Sequence, residues 1–280
     1  METKIHQLPT DLLEKNLVDN SVFVFDYHIQ RSTKKGKIIL NKNAFSFLLE
    51  GNKEIYYGKN YDRIDKRQFL LLSAGNCLMT ETISVQNSYR SVLLFFDHQV
   101  LVKFIADNRI VIPKSNPLPY LILECDEYIL SFVSTLLKAN SITPLLLAKF
   151  LETKIFELLY YMVSKIGPSF LYSFMSNHST GESHFRAVIE NTSLKKLSIE
   201  ELAFLNNMSL STFKRQFNHI YNSPPGKWFL KRRLQFAAAL LSQQDKRPIE
   251  IYEELGFESL SSFIQSFKAE YGTTPGQFRP

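Results

Sequence analysis

Nine residues in the last third of the chain carry side chains suited to reading nucleic acid: Ser211, Thr212, Lys214, Arg215 and Asn218, then Ser261, Ser262, Gln265 and Lys268. Arginine can donate two parallel bonds to a guanine edge and glutamine pairs with adenine, whereas serine, threonine and lysine reach bases or phosphates. Their spacing makes this chemistry one-sided. On a helix with Phe213 and Phe217 inward, 100° per residue turns Ser211, Arg215 and Asn218 outward, flanked by Lys214 and His219. The same reckoning turns Ser261, Ser262, Gln265 and Lys268 outward on a second helix. Lys195, Lys196, Lys227, Lys231, Arg232 and Arg233 add cations within reach of phosphates.

Other chemistries find little to work with. His6, His28, His98, His178, His184 and His219 are scattered, and no pair has the spacing of metal ligands. There is no glycine-rich phosphate loop and no serine-centred nucleophile elbow, so no catalytic residue, metal or cofactor is expected. Cys77 and Cys125 are too few for a disulfide framework, and the first residues, METKIHQLPTDLLEK, lack the apolar core of a signal peptide. A reducing cytoplasm is the expected setting. The apolar stretch 143–163 is interrupted by Lys149, Glu152, Lys154 and Glu157, so no membrane span is expected.

The elements that must hold the outward sets come from an internal repeat. Ser209, Leu210, Ser211, Phe213, Phe217, Tyr221, Pro225 and Gly226 recur fifty positions later as Ser259, Leu260, Ser261, Phe263, Phe267, Tyr271, Pro275 and Gly276. One small unit is therefore built twice. In the first copy Ser198 and Glu201 form a capping box that starts a helix, which ends near Asn206-Asn207. Ser209 then caps a second helix with Leu210, Phe213, Phe217 and Ile220 along its buried stripe. In the second copy Pro248 opens a helix, Gly256 supplies the turn and Ser259 caps the next helix. The two second helices are predicted to end at Asn222 and Gly272, residue types that tolerate left-handed backbone. A helical run over 225–241, about 25 Å long at ~1.5 Å per residue, joins the copies. Two helix-turn-helix units so spaced can address successive major-groove faces, one turn of duplex being ~34–36 Å.

Charge agrees with an acidic partner. The chain of 280 residues carries +6 overall. Residues 184–280 hold 13 Lys and Arg against 9 Asp and Glu, a net of +4.

Upstream the pattern is different. Runs at 21–27, 37–40, 44–49, 53–57, 69–72, 80–85 and 91–96 are β-branched or aromatic and are separated by turn residues, which predicts a β-sandwich or small barrel. Residues 124–139 and 144–165 have apolar residues at helical spacing and predict a helical hairpin, which either closes this domain or offers a dimer surface. Residues 167–183 lose periodicity and are taken as linker, giving an N-terminal domain over 1–168 and a helical one over 184–280. The aromatic richness of the first domain suits a core, and a barrel so lined can also take an apolar effector or a regulatory protein.

With these residues in view, the chain resembles the AraC/XylS family of bacterial regulators. The resemblance rests on Ile251-Tyr252-Glu253-Glu254-Leu255-Gly256-Phe257, Phe263, Phe267-Lys268, Gly272, Thr274-Pro275 and Phe278-Arg279 in the second copy. Leu202-Ala203, Met208-Ser209, Phe213, Phe217, Arg232-Arg233-Leu234 and Ala238-Ala239-Leu240-Leu241 carry it in the first copy and linker. It implies an α+β protein: an N-terminal cupin-like β-barrel with a helical hairpin, then an all-α module with two helix-turn-helix units joined by a linker helix. It further implies binding to double-stranded promoter DNA, contact with RNA polymerase and transcription activation, with base reading by Ser211, Lys214 and Arg215 and by Ser261, Ser262 and Gln265. Tyr252 departs from the family pattern, which has alanine there, and the second recognition helix has no outward arginine. The competing reading makes the β-domain a small-molecule sensor or cupin-type enzyme whose helices serve only as an interaction module.

Overall fold

The computed structural model describes residues 5–12, 21–57, 60–115, 118–175, 182–193, 197–242 and 246–278. The chain divides into two compact units, 1–180 and 181–280.

Among its described residues the first unit has ten strands: β1 (Ile5–Leu8), β2 (Val22–Ile29), β3 (Thr33–Leu40), β4 (Asn43–Glu50), β5 (Asn52–Tyr57), β6 (Asn60–Ile64), β7 (Gln68–Leu72), β8 (Gly75–Thr82), β9 (Tyr89–Phe96) and β10 (Tyr120–Glu124). They form two five-stranded sheets, ordered β1-β3-β8-β5-β6 and β10-β7-β4-β9-β2. The expected cupin-like barrel is therefore open. Each sheet ends its ladder at its own edge strands, and among the described residues no strand pairing carries one sheet into the other.

The second sheet is buried on both faces, which is why β4, β7 and β9 read as nearly unbroken apolar runs. Leu70, Leu72, Leu93 and Phe95 pack with Ile55, Tyr57, Cys77 and Met79 of the first sheet. Their alternate neighbours Phe45, Phe47, Phe69, Leu71, Val92, Leu94 and Phe96 face helices. Those helices are α1 (His98–Asp107), α2 (Glu127–Leu136), α3 (Pro144–Ile166) and α4 (Leu171–Met175). The hairpin α2–α3 closes the unit, with Ile129, Phe132, Val133 and Leu136 of α2 and Leu151, Ile155, Leu158, Leu159 and Met162 of α3 in this same core. Phe47 links the layers, its ring 5.3 Å from Phe69 and 5.8 Å from Phe132.

Phe170, Leu171 and Phe174 are also buried there, so the first unit outlasts the boundary at 168 read from sequence. The short 168–175 segment is held by three apolar side chains, too few to show a periodicity.

Between the sheets lies a polar cluster that strand patterning did not foresee. Lys53, opposite Glu81 across the β5–β8 ladder, is almost fully buried. It donates to Ser46 Oγ at 3.0 Å and lies 5.9 Å from the Tyr89 ring, while Tyr27 donates to Glu81 at 3.1 Å. Burial pulls the Lys53 ammonium below its ordinary range and pushes the Cys77 thiol up to about 12.

Two outcomes follow from this packing. Phe47→Ala should cost ~3–5 kcal/mol of stability in urea denaturation, because it opens a cavity between sheet and hairpin. At pH 8, iodoacetamide should alkylate Cys77 only after the protein is unfolded, since the buried thiol yields almost no thiolate. Labelling of the native chain at the unfolded rate would contradict that.

Candidate nucleic-acid interface

The second unit is helical: α5 (Glu182–Thr192), α6 (Ile199–Leu205), α7 (Leu210–Tyr221), α8 (Pro225–Ser242), α9 (Pro248–Ile251) and α10 (Leu260–Tyr271). Its elements begin and end for local reasons visible in the sequence. Ser198 accepts from Glu201 N at 3.1 Å while Glu201 accepts from Ser198 N at 2.7 Å, completing the capping box. Ser209 accepts from Thr212 N at 3.2 Å and Ser259 from Ser262 N at 3.1 Å, so both recognition-type helices start on a serine cap. They end at Asn222 (φ 48°) and Gly272 (φ 72°), both left-handed, as expected. The turns between paired helices use Asn207 (φ 58°) and Gly256 (φ 81°).

Two apolar clusters hold the units. Phe213 and Phe217 of α7 pack with Phe185, Ile189, Leu202 and Ala203, and with Trp228 and Phe229 at the start of α8. Phe263 and Phe267 of α10 pack with Ile251, Leu255 and Phe257, and with Leu234, Ala237 and Leu241 further along α8. One helix thus serves both. These inward phenylalanines turn the predicted outward sets to solvent: Ser211, Lys214, Arg215 and Asn218 are exposed on α7, and Ser261, Ser262, Gln265 and Lys268 on α10. Among the described residues no carboxylate pairs with Lys214 or Arg215, which leaves both cations free for an external anion. Thr212 is half-buried, and its hydroxyl accepts from Ser209 Oγ at 2.9 Å. It sits at the margin of the set. The second set carries one cation where the first carries two.

The outlying cations separate. Lys227 and Lys231 are exposed on α8, and Lys231 lies 3.9 Å from Glu270. Together with Tyr221, Ser223, Trp228, Arg232 and Gln235 they line a cleft of about 370 Å³. Arg232 lies 5.0 Å from the Trp228 ring, an arrangement that keeps the guanidinium edge available to an acceptor. Arg233 corrects the sequence reading. The sequence places it with the phosphate-range cations, but it turns inward, donating from Nη1 to Gly256 O at 3.2 Å over the Phe257 ring. Its helical position faces the second core, a distinction that adjacent Arg232-Arg233 in sequence does not reveal. Lys195 and Lys196 lie outside the described residues.

Tyr252 is half-buried and packs against the second core beside Gly256 and Phe257. At the corresponding place in the first unit Ala203 is buried. Among the described residues no group of three or more histidine, cysteine and acidic side chains could hold a metal, and no helix is long and apolar enough to cross a membrane.

Comparison with known proteins places this geometry. Residues 202–280 match a family described as helix-turn-helix domain, and residues 43–174 match the ExsA N-terminal regulatory domain. The chain is 28% identical to the thermoregulatory protein LcrF of Yersinia pestis over 79% of its own length and 83% of that protein's. It is 31% identical to the virulence regulon transcriptional activator VirF of Yersinia enterocolitica, over 46% of this chain and 48% of VirF. Among solved structures, an apo ToxT variant from Vibrio cholerae strain SCE256 aligns over 92% of this chain and 96% of that one, with 13% identity and a TM-score of 0.45. A double helix-turn-helix module behind a regulatory domain defines a DNA-binding transcriptional regulator. Both matched segments, and the similarity to these regulators, agree with the resemblance to the AraC/XylS family.

The caps allow a direct check on how the interface is held. Ser209→Ala and Ser259→Ala should each destabilise their helix start by ~1 kcal/mol. The loss would be read as a lower thermal midpoint, with helical circular dichroism below the transition unchanged.

Proposed function

We propose that this chain activates transcription by reading promoter DNA with α7 and α10 in successive major-groove faces, under control of its first unit. The observation that carries this reading is the pair of outward polar sets, each standing opposite a buried phenylalanine pair on a shared α8. In this reading Arg215 and Gln265 contact base edges, Ser211, Lys214, Asn218, Ser261, Ser262 and Lys268 contact bases or backbone, and Thr212 flanks them. Lys195, Lys196, Lys227 and Lys231 supply phosphate contacts, and RNA polymerase is the recipient of the activating contact. The first unit would take either a small-molecule effector or a regulatory protein. The cytoplasm is the setting such an activity requires.

The test compares two substitutions on DNA selected from a random pool by the unaltered protein. Arg215→Ala should weaken cognate binding by ~1–3 kcal/mol and relax base preference at one half-site. Lys227→Ala should weaken all sequences alike and lower the salt slope by about 1. Equal losses for Arg215→Ala on selected and random DNA would remove the base-reading role.

A homodimer through 124–166 is supported by what the hairpin leaves uncovered. Leu145 is 90% exposed and Leu146 60%, with Leu130 and Tyr160 also open to solvent. Leu145→Glu in the full chain should then halve the mass seen by light scattering. An unchanged mass would count against that surface.

A further inference from the structure

The two helix-turn-helix units are built to one plan, but their turns are held differently. Both turns share one backbone bond, Met208 N to Ala203 O and Phe257 N to Tyr252 O, each at 3.0 Å, and the first adds a local side chain, Asn206 Nδ2 donating to Leu202 O at 2.7 Å. In the second unit an arginine from the linker helix reaches across. Arg233 Nη1 donates at 3.2 Å to the carbonyl of Gly256, the left-handed residue of that turn (φ 81°). The guanidinium carbon lies 5.3 Å from the Phe257 ring, and Phe257 in turn lies 5.1 Å from Phe263 of α10. Arg233 is therefore connected, through one turn and one ring pair, to the helix that carries the second polar set. Its Nε is buried with no partner among the described residues, which is a cost that a residue kept only for solubility would not carry.

Nothing at the fifty-residue offset repeats this. The position is Ser183, flanked by Glu182 and His184. The first unit's nearest analogue, Arg186 on α5, sits instead over Tyr221 at the far end of α7, at 5.4 Å. The asymmetry matches the outward faces. The α7 set has Lys214 and Arg215, two cations whose long-range attraction to DNA adds to any base contact they make. The α10 set has Lys268 alone with Ser261, Ser262 and Gln265, whose neutral hydrogen bonds weaken steeply with misalignment. The helix with fewer cations to hold it on DNA, and so more dependent on aligned hydrogen bonds, is the one whose turn is tied to α8.

We propose that Arg233 is a positioning residue that sets the docking angle of α10, and hence base discrimination in the second half-site, through its bond to the Gly256 carbonyl. The proposal rests on the DNA-reading function above and adds a residue that touches no DNA.

The experiment uses the full chain with Arg233→Met, which keeps the apolar stem, and Arg233→Lys, which keeps the charge but loses the planar fork. On DNA selected by the unaltered protein, both variants should keep footprint protection over the first half-site. Both should lose at least about tenfold of the discrimination against a scrambled second half-site, the scale of one well-formed base contact. The salt slope on random DNA should stay unchanged. A phosphate contact predicts otherwise: the slope would fall by about 0.9 with Met and be restored with Lys, and that result overturns the proposal. So does loss at both half-sites in parallel. Hydrogen exchange without DNA gives a separate reading: amides of 252–258 should exchange faster in both variants, while those of 203–209 do not change. If the unaltered protein selects no sequence, the DNA-reading function fails, and unchanged exchange at 252–258 would then still refute the tie between α8 and the turn.

Discussion

The second unit depends on burying four phenylalanines, two from each repeat, against a single helix. Phe213, Phe217, Phe263 and Phe267 are all inaccessible to solvent, and each pair closes on a different stretch of α8. A helix of 18 residues, about 27 Å at ~1.5 Å per residue, is long enough to serve both clusters without bringing them into one core. Because each pair faces inward, the residues half a turn away must face solvent. The interface is thus a by-product of the core. Ser211, Arg215 and Asn218 are presented because Phe213 and Phe217 are hidden, and the same relation sets Ser261, Ser262 and Gln265.

The repeated aromatic geometry carries this constraint. The Phe213–Phe217 and Phe263–Phe267 centroid distances are 5.8 and 5.7 Å, and each second phenylalanine leans on a tyrosine, at 4.6 Å for Tyr221 and 4.7 Å for Tyr271. Contacts of this kind are directional as well as apolar, so they resist rotation of a helix about its own axis. For a helix that reads DNA, that rotation decides which side chains meet the groove. The two copies share this axial lock and differ at the turn, where the first relies on asparagine and the second on a partner from α8.

The first unit solves a different problem. Its central sheet has helices on one face and a second sheet on the other, so its core can tolerate a polar cluster only where the members satisfy one another. Lys53, Ser46, Glu81 and Tyr27 do so in part, while Tyr89 Oη and Ser91 Oγ lack partners among the described residues. Strands β4, β7 and β9 each supply both cores, alternate residues of one strand serving different layers.

Six of the seven runs read as strands coincide with strands, while 80–85 overlaps only the last three residues of β8, whose start at Gly75-Asn76 reads as a turn. Strands β1 and β6 are four and five residues long with mixed side chains, so alternation has no room to show, and β10 is a five-residue apolar run, YLILE, too short for its period to mark it as strand. Helix α1 lies outside the elements read from sequence, although Asp97 stands at its N-cap and Val100, Leu101 and Phe104 follow at helical spacing. Caps, left-handed ends and the outward sets of α7 and α10 were legible from sequence, since each is set within a turn or two of helix by residues close in the chain. The open edges of the two sheets, the inward aim of Arg233 beside an outward Arg232, and the burial of Phe170, Leu171 and Phe174 were decided only by tertiary structure. Each depends on a partner tens of residues away, and local periodicity carries no record of which distant surface a side chain will meet.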